Sequence, residues 1–351
     1  MVTEAYLSGG GTGEKFAAWY SVPRKTFREE ASGLLEEYRI RAAGTVPVMV
    51  RFHLSDITNQ AEEFRSLLAE YLPGVPVSLA GQPPVNGSRI AAEGWFADRA
   101  LSQLTFMPGG DPGEGDSAGQ MKKLFEALAG ELPAGESVAE NVLRTWIYCR
   151  DIDNNYAGLV RARREYFDAV GLTEKTHYIA STGIGGCAAR PGQLVMMDAL
   201  TVSGVVPGQI EYMHAPEHLS PTRLYGVTFE RASRLISGDR SHYFISGTAS
   251  IDKCGEIVHP GDVAGQTVRV LENVQALLGG YGGDMGDLKM ATVYLRDAAD
   301  RDTVEAILRE RFGGEVPFIT LLGTVCRPGW LVEMEGIAVN RRGDRKFPDF
   351  R

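Results

Sequence analysis

The residues best suited to chemistry sit in a stretch that the chain carries twice. Cys326-Arg327-Pro328-Gly329-Trp330-Leu331-Val332-Glu333-Met334-Glu335 has an earlier counterpart, Cys187-Ala188-Ala189-Arg190-Pro191-Gly192-Gln193-Leu194-Val195-Met196-Met197-Asp198. Aligned on Arg-Pro-Gly-x-Leu-Val, the copies agree in apolar, acidic and turn positions, but Met196 stands where Glu333 stands. A carboxyl on an apolar strand costs stability unless it is paired or keeps its proton. A positioned acid with a raised pKa is what proton transfer to a substrate needs, so Glu333 is the first candidate catalytic residue. Glu335 shares its face if the strand is regular, and two close carboxylates push one pKa up. Its counterpart Asp198 is also acidic, which favours a structural role for Glu335. Cys326 lies seven residues before Glu333; a free cysteine is usually a small buried hydrophobe.

The elements that must position these residues repeat as well. Gly119-Gln120 and Gly265-Gln266 each open a helical pattern, 146 residues apart, and the same 146 separates Trp146–Asp151 from Thr292–Asp297. Both hexapeptides alternate like strands. A second helix follows each, Asn154 to Val170 and Asp300 to Phe312. At Arg-Pro-Gly the offset has fallen to 137, so the later copy is shorter by a loop. An offset shared by several elements marks a tandem duplication of a sheet-and-two-helix unit, an α+β arrangement with helices on one sheet face. The expected organisation is an N-terminal domain over 1–203 with an N-terminal extension, a junction over 204–235 and a C-terminal domain over 236–351 carrying Glu333. The junction is rich in Tyr, His and Arg, good material for a ligand-binding loop.

The chain has 351 residues, 44% hydrophobic and 23% charged, with a net charge of −9. That length accommodates two cores. The acidic balance argues against nucleic acid, and an anionic substrate needs a local arginine cluster. No apolar run reaches the ~18 residues of a membrane span. The N-terminus lacks a signal-peptide pattern, and the four scattered cysteines speak against a zinc ribbon or disulfide framework. A cytoplasmic protein is expected, acting on a small molecule as a monomer or small homo-oligomer, with no membrane, metal or cofactor. Gly9-Gly10-Gly11-Thr12-Gly13-Glu14-Lys15 fails the phosphate-loop spacing and reads as a turn. Gly183-Ile184-Gly185-Gly186-Cys187 precedes another strand, unlike a dinucleotide fingerprint.

The motifs Ile245-Ser246-Gly247-Thr248-Ala249-Ser250, Gly265-Gln266, Val293–Asp297 and Val332–Val339, in that order, resemble the RidA/YjgF family over about 240–340. That resemblance implies two tandem RidA/YjgF-like (chorismate-mutase-like) domains, the first degenerate. RidA-like deaminases hold the substrate carboxylate with an arginine some fifteen residues before the glutamate. Here that stretch is Pro317-Phe318-Ile319-Thr320-Leu321, a departure that weakens an enamine/imine deaminase reading. Trp146-Ile147-Tyr148, Asp151-Ile152, Arg163 before Tyr166-Phe167, Tyr225-Gly226, Ser246–Ser250 and Glu333 together resemble the chorismatases over about 45–340. These release pyruvate from chorismate without cofactor or metal. The implied product is 3-hydroxybenzoate, on the strength of Cys326 assisting aromatisation, or else 3,4-dihydroxycyclohexa-1,5-diene carboxylate. Glu333 would protonate the enolpyruvyl methylene. Two substrate carboxylates call for bidentate cations: Arg150, Arg163 and Arg223 are candidates, each also suited to a surface ion pair. Tyr148, Tyr212 and the linker Tyr225 would line the same site, and Ala249 would be a small wall controlling water access. A non-catalytic carboxylate-binding protein is the remaining alternative.

Overall fold

The computed structural model describes residues 3–7 and 11–351. Ser8–Gly10, part of the N-terminal glycine run, lie outside the described residues.

Three sheet-and-helix units follow one another. The first holds β1 (Glu4–Leu7), β2 (Glu14–Tyr20), α1 (Phe27–Ala42), β3 (Val46–Leu54), α2 (Ile57–Tyr71), β4 (Ser78–Gly81) and β5 (Ile90–Ala97). The second holds β6 (Leu104–Met107), α3 (Ser117–Glu131), the short α4 (Val138–Asn141), β7 (Val142–Cys149), α5 (Ile152–Ala169), β8 (Ala180–Gly185) and β9 (Val195–Val202). The third holds β10 (Ile210–Met213), β11 (Ala232–Ile236), β12 (Ser241–Ala249), α6 (Val263–Gly280), β13 (Leu288–Leu295), α7 (Arg301–Phe312), β14 (Phe318–Leu322) and β15 (Val332–Asn340). Their sheets run β1-β2-β5-β3-β4, β6-β9-β7-β8 and β10-β11-β12-β15-β13-β14. Apart from β10 and one strand missing from the middle sheet, this is one order used three times. The tandem α+β units read from the repeat are present, and a further unit precedes them. The expected N-terminal extension instead forms β1, β2 and α1 of this unit, and the expected junction over 204–235 supplies β10 and β11 to the third sheet. The first unit escaped detection because it carries no Arg-Pro-Gly motif.

Alternation along the strands explains the layering. In β2, Ala17 and Trp19 pack with Leu34, Leu35 and Phe64 of α1 and α2, whereas Phe16 and Ala18 join the large core shared by all three units. Each sheet is thus apolar on both faces, as β9 shows with every residue of Val195–Val202 buried. The repeated Gly-Gln dipeptide is a clamp. Gln120 Nε2 donates to Gly192 O (2.8 Å) and its Oε1 accepts from Leu194 N (2.7 Å); Gln266 does the same to Gly329 O and Leu331 N, both at 2.9 Å. Each buried glutamine therefore satisfies the backbone of its own Arg-Pro-Gly turn and fixes where the following strand starts.

The units meet at a buried polar junction. Glu335 of β15 accepts from Arg51 Nη2, Arg144 Nη2 and Trp146 Nε1, each at 2.8 Å, and from the Thr182 hydroxyl. Arg51 also pairs with Glu93 at 2.7 Å, and Glu93 accepts from Thr292 Oγ1 at 2.7 Å. The register aligns these carboxylates: Arg51↔Glu93, Trp146↔Asp198 and Thr292↔Glu335 are equivalent cross-strand pairs. The structural role favoured for Glu335 is what its partners display.

Candidate active site

Glu333 stands two residues before Glu335 on β15, opposite Ala249 of β12 and Tyr294 of β13. The ladder between β12 and β15 shifts register between Ile245 and Thr248. Such an irregularity re-aims side chains beside sites. Here it brings Gly247 against the Glu333 carboxyl: a Cβ on Gly247 would lie 2.1 Å from Glu333 Oε1. Only glycine leaves room for that carboxyl. Gly247→Ala should displace the acid while leaving the backbone in place. The expectation is a loss of turnover of about 10²-fold with an almost unchanged melting temperature, read by steady-state kinetics beside thermal denaturation.

Glu333 is 5% exposed and lines a narrow cleft of about 30 Å³ between the second and third units. The second unit contributes Tyr156, Arg163, Ser181 and Gly183; the third contributes Gly247, Ala249, Cys326, Arg327 and Trp330; Val227, Phe229 and Arg231 close it from the connecting stretch. Burial, reinforced by the neighbouring Glu335 charge, pushes Glu333 up to about 8 against the pull of Arg144 and Arg231. Cys326 is also raised, to about 12, chiefly by burial. It therefore faces the cleft as a neutral thiol, hydrogen-bonded to the Tyr156 side chain.

Of the residues singled out in sequence, Glu333, Cys326, Arg163 and Ala249 come together here. Arg163 is buried on α5, its Nε donating to Thr228 Oγ1 at 3.2 Å. The others are elsewhere. Tyr148 points into the three-unit junction, where its hydroxyl accepts from Arg51 Nη1 at 3.0 Å. Arg150 donates to Ala188 O at 2.7 Å and braces the loop before the first Arg-Pro-Gly turn. Tyr212 stacks on His177 with ring centroids 3.8 Å apart. Arg223 is exposed, 3.6 Å from Glu174, and lines a separate recess of about 300 Å³ that shares Arg231 with the cleft. The side chain of Tyr225 lies outside the described residues.

Two guanidiniums of the cleft were missed. Arg231 donates to Ser220 O at 2.8 Å, and Arg327 lies over the Trp330 ring at 5.5 Å. Arg327 belongs to the repeated turn, so its repetition made it look architectural. Trp330, where the earlier copy has Gln193, was the available signal that the second turn differs. Three arginines and one proton-holding carboxyl thus surround a cleft in an acidic protein, an arrangement fit to hold a small carboxylate and hand it a proton. Among the described residues, no group of three His, Cys, Asp or Glu is placed to hold a metal, and no helix is long and apolar enough to cross a membrane.

This is a RidA-like architecture with its cleft between units, and the similarity to known proteins agrees. The family described as Endoribonuclease L-PSP matches residues 233–340. A 3-hydroxybenzoate synthase from Streptomyces hygroscopicus is 30% identical over 224 residues, 57% of this chain and 64% of that protein. A chorismatase from Streptomyces rapamycinicus is 30% identical over 224 residues, 56% and 64% of the respective chains. The chain thus spans just under two thirds of these curated relatives. A chorismatase crystal structure has the same fold over 94% of this chain and 100% of its own, with TM-score 0.65 and 20% identity. The chain is thus similar in sequence to chorismatases and shares the fold of one, and its third unit carries the Endoribonuclease L-PSP match.

Proposed function

We propose that the chain is a chorismate-converting enzyme that releases pyruvate, with Glu333 as the general acid. The observation that carries this is the pairing of a carboxyl raised to about 8 with Arg163, Arg231 and Arg327 around one cleft. Chorismate carries two carboxylates and an enolpyruvyl ether. The arginines take the carboxylates, and Glu333 gives its proton to the terminal methylene, creating an oxocarbenium ion. Trapping by water and collapse of the hemiketal gives pyruvate and 3,4-dihydroxycyclohexa-1,5-diene carboxylate, with one water consumed. Departure of the same three carbons with aromatisation gives pyruvate and 3-hydroxybenzoate, with no net water. The name of the Streptomyces hygroscopicus relative supports the second outcome. The narrow cleft admits such a substrate only when the wall bearing Val227 and Phe229 moves outward.

Cys326 acts as a neutral thiol on the ring-bearing side. Cys326→Ala should keep pyruvate release within a few-fold and move the ring product towards the dihydroxy acid, seen by chromatography of the products. An unchanged product ratio removes Cys326 from the mechanism.

The acid assignment has a defined pH signature. Glu333 must be protonated to act, so turnover stays high through neutrality and falls as pH rises through about 8. Its stability contribution has the same sign. The folded state holds the proton above the ordinary carboxylate value of 4.5, so this contribution is fully present below 4.5 and is lost as pH rises towards 8. Glu333→Gln should flatten that part of the stability profile, measured by denaturant titration at several pH values.

A further inference from the structure

The threefold use of one strand order creates a second cleft of the same construction. Between the first and second units, α2 and β4 take the places of α5 and β8, while the Arg190 turn and β9 take those of the Arg327 turn and β15. The cavity there is about 550 Å³, within the range of small-molecule sites. It is roomier for a simple reason. The long segment between β10 and β11 folds across the Glu333 cleft, whereas a short turn connects β5 to β6 and none of it lines this cavity.

The floor differs from that of the Glu333 cleft in a way that matters chemically. Met196 replaces Glu333, so no carboxyl stands at the catalytic position. Asp198 replaces Glu335, and Ser78 replaces Thr182, as the parallel pairs Arg51↔Ser78 and Trp146↔Thr182 show. Glu335 is saturated by two arginines, an indole and a hydroxyl, whereas Asp198 has the Ser78 hydroxyl beside it but no arginine or indole in contact. Asp198 Oδ1 accepts from Gly109 N at 2.9 Å. Its Oδ2 and Ser78 Oγ lie beside each other, and neither has another partner among the described residues. Asp198 is 0% exposed and lines the cavity, and a buried polar pair left this way is costly unless a ligand or water completes it. The walls are Leu68, Leu72, Val77, Leu79 and Met196, whose thioether suits an aromatic face. At the exposed rim Arg65 has no partner among the described residues, whereas Arg190 is engaged by Asp111 and Glu114.

We propose that this cleft is a non-catalytic binding site for a small hydroxylated aromatic carboxylate. The ligand's hydroxyl completes the Asp198–Ser78 pair, its ring lies against Met196 and the leucines, and its carboxylate reaches Arg65. The ligand class coincides with a product of the proposed reaction, but binding here needs no turnover at Glu333, and the two readings fail independently.

Met196 provides a site-specific readout, because no methionine among the described residues lines the Glu333 cleft. The full-length protein is labelled at its methionine methyl groups, the Met196 resonance is assigned through Met196→Leu, and 3-hydroxybenzoate is titrated in. The expected result is a saturable shift of the Met196 methyl. Arg65→Ala, a surface change that leaves the fold intact, weakens the binding about fivefold or more, the scale of an exposed charge-assisted hydrogen bond. Benzoate, lacking the hydroxyl, also binds more weakly. A Met196 methyl that does not move up to tens of millimolar ligand overturns the site, as does binding of equal strength to the Arg65→Ala protein and of benzoate. Pyruvate release from chorismate, followed separately, reports on Glu333 alone.

Discussion

Glu333→Gln should lower pyruvate release from chorismate by about 10²–10⁴-fold, the usual scale of a general acid, while the protein folds as before. The amide fills the same space beside Gly247 and Ala249 but has no proton to give. Little stability is at risk, because the carboxyl it replaces is already penalised by burial and by the Glu335 charge. Chorismate binding should survive, since Arg163, Arg231 and Arg327 are untouched. The loss therefore belongs in kcat rather than KM, and steady-state kinetics with a binding titration of the inactive variant checks both halves. A variant that keeps wild-type turnover removes Glu333 from the chemistry.

The largest stability effect is expected two residues away. Glu335→Ala leaves Arg51 and Arg144 facing an empty space at the meeting point of three units, with both guanidiniums almost fully buried. Removing one partner of a buried ion pair costs about 3–5 kcal/mol, because the remaining charge stays desolvated. The change should appear as a large drop in the denaturant midpoint. It should also lower the pKa of Glu333, since Glu335 is one of the charges that raise it. At temperatures where the variant remains folded, the fall in turnover with pH should move to below about 8. A variant as stable as the wild type would show that the junction is not held by this carboxylate.

Much of this site was legible in the sequence because the chain supplies its own control. The second Arg-Pro-Gly strand differs from the first by a glutamate at an apolar position, and that difference marks Glu333 without a structure. The duplicated Gly-Gln was equally readable as the start of a helix, although its job of clamping the Arg-Pro-Gly turn depends on a contact 63 to 72 residues away. Tyr148 and Arg150 misled because neighbouring residues at a strand end can face different surroundings. Tyr148 looks into the junction of three units, a direction fixed only once the first unit packs there. That unit was itself hidden, since its turn is held by Glu30 accepting from Arg89 N rather than by a glutamine. Arg327 was obscured by repetition: in the first copy the same arginine is spent on Asp111 and Glu114, and in the second it lines the cleft.

Turnover of chorismate in the Glu333 cleft is the step on which the other expectations rest. Its most direct test is incubation of the wild-type chain with chorismate at neutral pH, following pyruvate and resolving the ring products by chromatography. The expected result is pyruvate in equal amount with one or both ring acids, 3-hydroxybenzoate and the dihydroxycyclohexadiene carboxylate. Chorismate recovered unchanged would contradict it, and ammonia release from an amino-acid-derived imine by the same preparation would then assign the cleft to deaminase chemistry.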